Sequence, residues 1–277
     1  MDIITKVDES KFAPEKQFIA YIDILGYEHL MKKYGISKMA AIIDTAISKN
    51  RVTAEAFTRD SLSRENMTQI GATKTDMKIE QKVFSDNFFF CTKNNWFDLL
   101  SLIPLLQVSL MDYGIFIRGA LCYGDIYYGD SFICGVGLIN AYKLESIVAI
   151  YPRILIDNSF YDQAGIYLKK SEMGNAFSLI EIMELFVNKD YDYNSFIDYL
   201  KHLYCFTVKL NRDMNYNSKS ELQRESFSNF ISFHRRVVSK NLHDYEGNMK
   251  IHSKYLWCKR YHNNFCEEHG YMDYIIT

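Results

Sequence analysis

Apolar and polar positions along the chain change period several times, and each change predicts an element. Residues 18–27, FIAYIDILGY, form an apolar run that ends at Gly26 and predict a buried strand. EHLMKKYG and then ISKMAAIIDTAISKNRV carry apolar residues at helical spacing. Residues 51–75 are polar and rich in Thr and Ser, which predicts the tail of a helix and a mobile loop. MKIEQKVFSD (77–86) and NFFFCTK (87–93) read as hairpin arms meeting at Ser85-Asp86-Asn87. A helix follows from Trp96 to about Tyr113, then a strand in IFIRGALCYG (115–124) that DIYYGDSFICG continues. VGLINAYKLESIV predicts a helix and RILIDNSF (153–160) a short strand.

The resulting order, β-α-β-β-α-β with additions, predicts an α+β fold of the ferredoxin-like palm kind. Such a sheet carries helices on one face and leaves the other free for a partner or ligand. Past residue 160 the pattern turns helical, and 222–243 and 247–268 read as antiparallel helices joined at DYEGN. The expected organisation is a palm over residues 1–160 and an α-helical C-terminal extension, 161–277, packed on it.

Composition adds that the chain can build a core: of 277 residues 48% are apolar, with 21 Tyr, 19 Phe and only 3 Pro. A formal charge of −2 gives no general attraction to nucleic acid or an anionic membrane. Apolar runs such as LLSLIPLLQVSLM are of core-helix length, so no membrane partner is expected. The first sixteen residues lack an apolar stretch of the secretory type. Six cysteines without a CxxC pair read as reduced, buried thiols. A cytoplasmic location is the expectation.

Two carboxylates stand where burial makes them costly. Asp23 interrupts an apolar strand, and an unpaired charge there costs several kcal/mol, above the ~2–7 of a neutral polar group. Asp86 sits at the hairpin tip. Carboxylates from adjacent strands can converge on Mg or Mn, with coordination completed by substrate phosphates. Alternatively one Asp caps a turn and the other pairs with a lysine. Cys258, His262, Cys266 and His269 share one helix face, but a closed zinc site needs ligands from a second element. An aromatic seam of Tyr255, Trp257, Tyr261 and Phe265 is the competing reading. Lys32-Lys33, Lys169-Lys170 and His234-Arg235-Arg236 read as solvated faces.

Four motifs in order carry a resemblance: DILGY (23–27), KVFSD (82–86), RGALCYGDIYYG (118–129) and GVGLINAYKLES (135–146). Residues of roughly 16–157 resemble the catalytic domain of class III nucleotidyl (adenylate/guanylate) cyclases, as a divergent member. The resemblance implies two divalent ions, Mg or Mn, on Asp23, Asp86 and the backbone carbonyl of Ile24. It implies a nucleoside triphosphate approaching at Gly26 and Tyr27. It puts Lys82 at a base-reading position, where it suits adenine as a donor to a ring nitrogen, and Phe132 at the other, where a phenyl cannot choose between exocyclic groups. Ile139 and Lys143 occupy the family's transition-state Asn and Arg positions. Lys143 keeps the charge without the bidentate fork, and Arg118 is chiefly a strand tether with a lesser role in offsetting phosphate charge. No later phosphate-binding lysine aligns.

The implied activity is conversion of a nucleoside triphosphate to a cyclic nucleotide messenger with release of pyrophosphate, by a homodimer. Second-messenger signalling follows from the kind of family, with antiviral defence as one setting. Two alternatives stand beside it: a catalytically inactive nucleotide- or partner-binding palm, which Ile139 and Phe132 favour, and a nucleotidyl or oligonucleotide polymerase.

Overall fold

A computed structural model describes residues 9, 12–61, 78–171, 173–209 and 217–277. Its first part runs β1 (Glu15–Ile24), α1 (Tyr27–Tyr34), α2 (Ile36–Ser61), β2 (Glu80–Phe84), β3 (Asn87–Thr92), α3 (Trp96–Met111) and β4 (Ile117–Tyr128). These strands lie in the order β2-β3-β1-β4, every neighbouring pair antiparallel. Each helical crossover therefore skips one strand, leaving β3 between β1 and β2, and β1 between β3 and β4. That is the ferredoxin-like arrangement, and the protein is α+β.

The sheet then grows beyond β4. A two-residue strand β5 (Ile133–Cys134) pairs with the end of β4, and α4 (Val136–Lys143) follows, its last turn widening into a π-helical segment, Leu144–Val148. This crossover delivers β6 (Ile154–Ile156) parallel to β4. After α5 (Asn158–Lys169), α6 (Met173–Ala176) and α7 (Leu179–Phe186), a hairpin of β7 (Val187–Lys189) and β8 (Ser195–Ile197) completes the order β6-β8-β7. The chain closes with α8 (Tyr199–Tyr204), α9 (Asn217–Asp244) and α10 (Met249–His269).

β1 reads as nearly continuous apolar sequence because both its faces are covered. Phe18, Ala20, Ile22 and Ile24 point into the main core with Met39 of α2, Leu99 and Ile103 of α3, Phe160 of α5 and Phe186 of α7. Ile19 points the other way, against Cys122 and Ala141 of α4. Farther along that second face, Phe116, Ala120, Leu155 and Phe196 meet Phe227 and Ile231 of α9 and Trp257 and Phe265 of α10. The expectation of a free second face is thus corrected: α4 and the α9–α10 hairpin cover much of it. What stays open is the β2–β3 side, where Val83 and Phe84 are exposed.

Other expectations shift for local reasons. The strand over 153–160 stops at Ile156 because the Asp157 carboxylate accepts the Ser159 N–H and starts a helix. The purely helical reading past 160 fails at 187–197, where two strands form. In the loop expected within 51–75, residues 62–75 lie outside the described residues. Five cysteines are buried, but Cys134 is exposed.

Candidate functional site

Asp23 lies one residue before the end of β1, facing Asn87 on β3 and Arg118 on β4. Gly26, with φ +70°, then turns the chain from strand into α1, and its carbonyl accepts the Leu30 N–H at 3.1 Å. The β2–β3 hairpin closes on the Phe84–Asn87 pair, leaving Ser85-Asp86 as a two-residue turn. Ser85 takes φ +56°, a conformation usually given to glycine in such turns. The Asp86 carbonyl accepts the Ile24 N–H at 2.9 Å, so the turn is stitched to the strand end that carries Asp23. The Asp86 carboxyl lies near enough for its charge to act on Asp23, and the Asn87 amide donates to Asp86 Oδ1 at 3.1 Å.

Electrostatics at this rim are unrelieved. Burial raises the Asp23 pKa; Arg118 opposes the rise through a hydrogen bond and its charge, while Asp86 adds to it. Arg118 Nε donates to Asp23 Oδ2 at 3.0 Å, and its Nη2 lies 2.8 Å from Glu145 Oε1, close enough for an ion pair but not aligned as a hydrogen bond. Glu145, carried inward by the π-helical turn, is almost wholly buried. Burial pushes its carboxyl up to about 7; Arg118 holds it down, and Asp23 and Asp86 add to the rise. Tyr21 is pushed up to about 12, by burial first and then by Glu145 and Asp23. Lys254, reaching in from α10, has a pKa lowered by burial and by the Arg118 charge.

The donor set fits a hard divalent cation. Two carboxylates come from adjoining segments, and one guanidinium, shared with Glu145, is the cation bonded to Asp23. Oxygen ligands with room for substrate phosphates suit Mg or Mn. No third His, Cys, Asp or Glu joins them in a metal-type cluster among the described residues. The helix face of Cys258, His262, Cys266 and His269 forms no such cluster either. His262 Nδ1 bonds His234 Nδ1 at 3.0 Å and its Nε2 bonds the Tyr274 carbonyl at 2.9 Å. Tyr255, Trp257, Tyr261 and Phe265 pack in the core beside it, and His234 is buried, against its reading as part of a solvated face.

The remaining residues singled out from sequence fall into two places. Gly26 lies at the rim, and Tyr27 packs half-buried on the main core. Lys82 belongs to a second group: its Nζ donates to the carbonyls of Gly129 at 2.5 Å and Asp130 at 2.8 Å, over the Tyr128 ring. Phe132 packs on Tyr127 and Phe12, half-exposed. Lys143 is exposed at the end of α4, and Ile139 is exposed on the same helix. Arg118 is more than a strand tether, since it bridges Asp23 and Glu145. Glu145 and Lys254 were not singled out. Glu145 lies in the Lys-Leu-Glu-Ser end of the fourth motif, a signal that could have found it; for Lys254 the sequence carries none.

No family model and no curated protein matches the chain. Among solved structures it is similar to a bacterial light-regulated adenylyl cyclase, at 13% identity and a TM-score of 0.38, over 56% of this chain and 48% of that one. It is similar at 14% identity and a TM-score of 0.36 to the catalytic core of a rhodopsin-guanylyl cyclase with converted specificity in complex with ATPalphaS, over 54% and 80%. A class III adenylyl cyclase-like ATP-binding protein from Pseudomonas aeruginosa matches at 12% identity and a TM-score of 0.31, over 64% of this chain and 42% of that one. The chain thus spans about half the length of the first of these structures. Likenesses of this size carry no inference about activity. No helix among the described residues is long and apolar enough to cross a membrane.

Proposed function

We propose that the protein is a divalent-metal-dependent nucleotidyl cyclase, converting a nucleoside triphosphate to a cyclic nucleotide messenger and pyrophosphate. The observation that carries this reading is the Ile24–Asp86 backbone bond, which brings the turn bearing Asp86 to the end of β1 that bears Asp23. In the reaction a ribose hydroxyl oxygen bonds to the α-phosphorus as the bond to pyrophosphate breaks, and the hydroxyl proton passes to water. Mg or Mn, held by Asp23, Asp86 and the Ile24 carbonyl, would supply a lowered hydroxyl pKa and neutralisation of phosphate charge. The chain's own part is to bind and orient. Gly26 leaves the turn into α1 without a side chain where triphosphate would approach. Arg118 holds the Asp23 carboxylate in place and would offer its charge to the α-phosphate, and Lys143 would serve as a second cation.

The exposed apolar side chains Phe84, Val136, Ile139 and Tyr142, on the hairpin tip and α4, form the surface on which a second copy would close the site. A homodimer is part of the proposal for that reason, with residues 1–160 as the palm and the rest as its extension.

A second reading, a nucleotide-binding palm without catalysis, is favoured by the Arg118–Asp23 pair and by Lys82 being tied to the Gly129 and Asp130 carbonyls. Incubation with each of the four triphosphates and Mn separates the two. The cyclase reading expects pyrophosphate release above background that Asp23→Ala/Asp86→Ala abolishes. Equal background release by both proteins rejects it. Nucleotide-induced thermal stabilisation without product selects the second reading.

A further inference from the structure

A cleft of about 890 Å³ lies between α1, the turn before β4 and the α9–α10 hairpin. Five lysines line it, Lys33, Lys38, Lys240, Lys250 and Lys254, against two aspartates, Asp112 and Asp244. They arrive from four helices, so they are not a charge run on one solvated face. Only Lys240 forms a salt bridge within the cleft among the described residues, to Asp244 at 2.6 Å. Lys33 and Lys38 rest on the Tyr34 ring at 4.7 and 4.9 Å. Lys250 and Lys254 make no ion pair among the described residues, and Lys254 is half-buried. Tyr113, Phe116, Tyr245 and Tyr255 supply aromatic wall.

We infer that this cleft binds a phosphorylated ligand with a planar ring, of the nucleotide class, held by its phosphates on Lys250, Lys254 and Lys33. The volume suits a ligand of that size. Like charges gathered in a half-closed space repel one another and attract a polyanion. Lysine ammoniums hold phosphate as point charges, and aromatic side chains stack on base rings. The cleft touches the carboxylate rim at Leu25, Gly26 and Lys254, but it holds the ligand without metal. Its occupancy therefore stands apart from the cyclase reading.

Calorimetric titration of the full chain in EDTA, with ATP, adenosine and tripolyphosphate as probes, tests this. ATP should bind most tightly, tripolyphosphate more weakly and adenosine weakest. Lys250→Ala/Lys254→Ala should weaken ATP by about tenfold or more, the scale of a lost charge-assisted hydrogen bond. Lys33→Ala/Lys38→Ala, from the opposite wall, should weaken it in the same direction and guards against a folding defect in the first variant. Asp23→Ala/Asp86→Ala should bind metal-free ATP within about threefold of wild type, even where it has lost pyrophosphate release. Absence of metal-free binding by both ATP and tripolyphosphate overturns the inference. So does unchanged affinity in both lysine variants, or loss confined to the aspartate variant.

Discussion

Two polar regions lie against the same sheet, and they are built on opposite terms. At the rim of β1, Asp23 and Glu145 share the single guanidinium of Arg118, and burial pushes their pKa values up, with the Asp86 charge adding to both. Below α10 the charges are paired, although Arg153 Nε itself has no hydrogen-bond partner among the described residues. Arg153, buried to 1% exposure, donates through Nη1 and Nη2 to Asp190 and Asp192, and Trp257 and Arg260 also bond Asp190. Beside it runs a neutral chain with one consistent set of protons. The Tyr274 carbonyl can only accept, so His262 Nε2 donates and its Nδ1 accepts from His234 Nδ1; His234 Nε2 then accepts from the Tyr199 hydroxyl at 2.6 Å. A cluster whose charges are paired stabilises the fold. An unmatched one costs stability and is where a cation or phosphate has most to gain.

The contrast can be broken first at Arg153. Arg153→Ala leaves Asp190 and Asp192 without their main cation and should cost about 3–5 kcal/mol in urea unfolding. A loss under about 1 kcal/mol would erase the distinction. At the rim, Arg118→Ala should cost less, about 1–3 kcal/mol in EDTA. Manganese should then raise the melting temperature of this variant more than that of wild type, because ion and guanidinium compete for Asp23. An equal or smaller rise in the variant counts against shared use of that carboxylate.

The histidine chain should respond to acid. Burial holds both His234 and His262 below the ordinary value of 6.5, so the unfolded chain takes up protons that the folded rings refuse. Their contribution is complete above pH 6.5 and is lost as pH falls, by about 1.4 kcal/mol per pH unit for each ring. His234→Met should make the acid limb shallower than in wild type between pH 6.5 and 5; an unchanged slope contradicts the assignment. The smallest effect belongs to Gly26→Ala, where a Cβ meets no neighbour but must adopt φ +70°, at a cost of about 1 kcal/mol.

Sequence made the palm legible because its elements announce themselves locally. The apolar run of β1, the turn at Ser85-Asp86 and the helical period of 96–113 each fix an element alone, and their order fixes the sheet. Asp23 and Asp86 were legible for a related reason, since a carboxylate in an apolar strand demands a partner. That partner was not legible. Arg118 faces Asp23 only through the β1–β4 register, and Glu145 reaches it only because α4 widens into a π turn. Lys254 is more than two hundred residues from Asp23, and only packing of α9 and α10 on the second sheet face brings it near. Which face the C-terminal extension covers was not legible, because Phe227, Trp257 and Phe265 look alike whether they seal a helix pair or a sheet.

The central claim is that Asp23 and Asp86 together seat a divalent ion, and manganese binding followed by electron paramagnetic resonance tests it most directly. With a non-hydrolysable triphosphate present, wild type should deplete the free-Mn signal, and Asp86→Ala and Asp23→Ala should each restore it by at least about tenfold in affinity. Equal depletion by wild type and both variants, or none by wild type, would contradict the account.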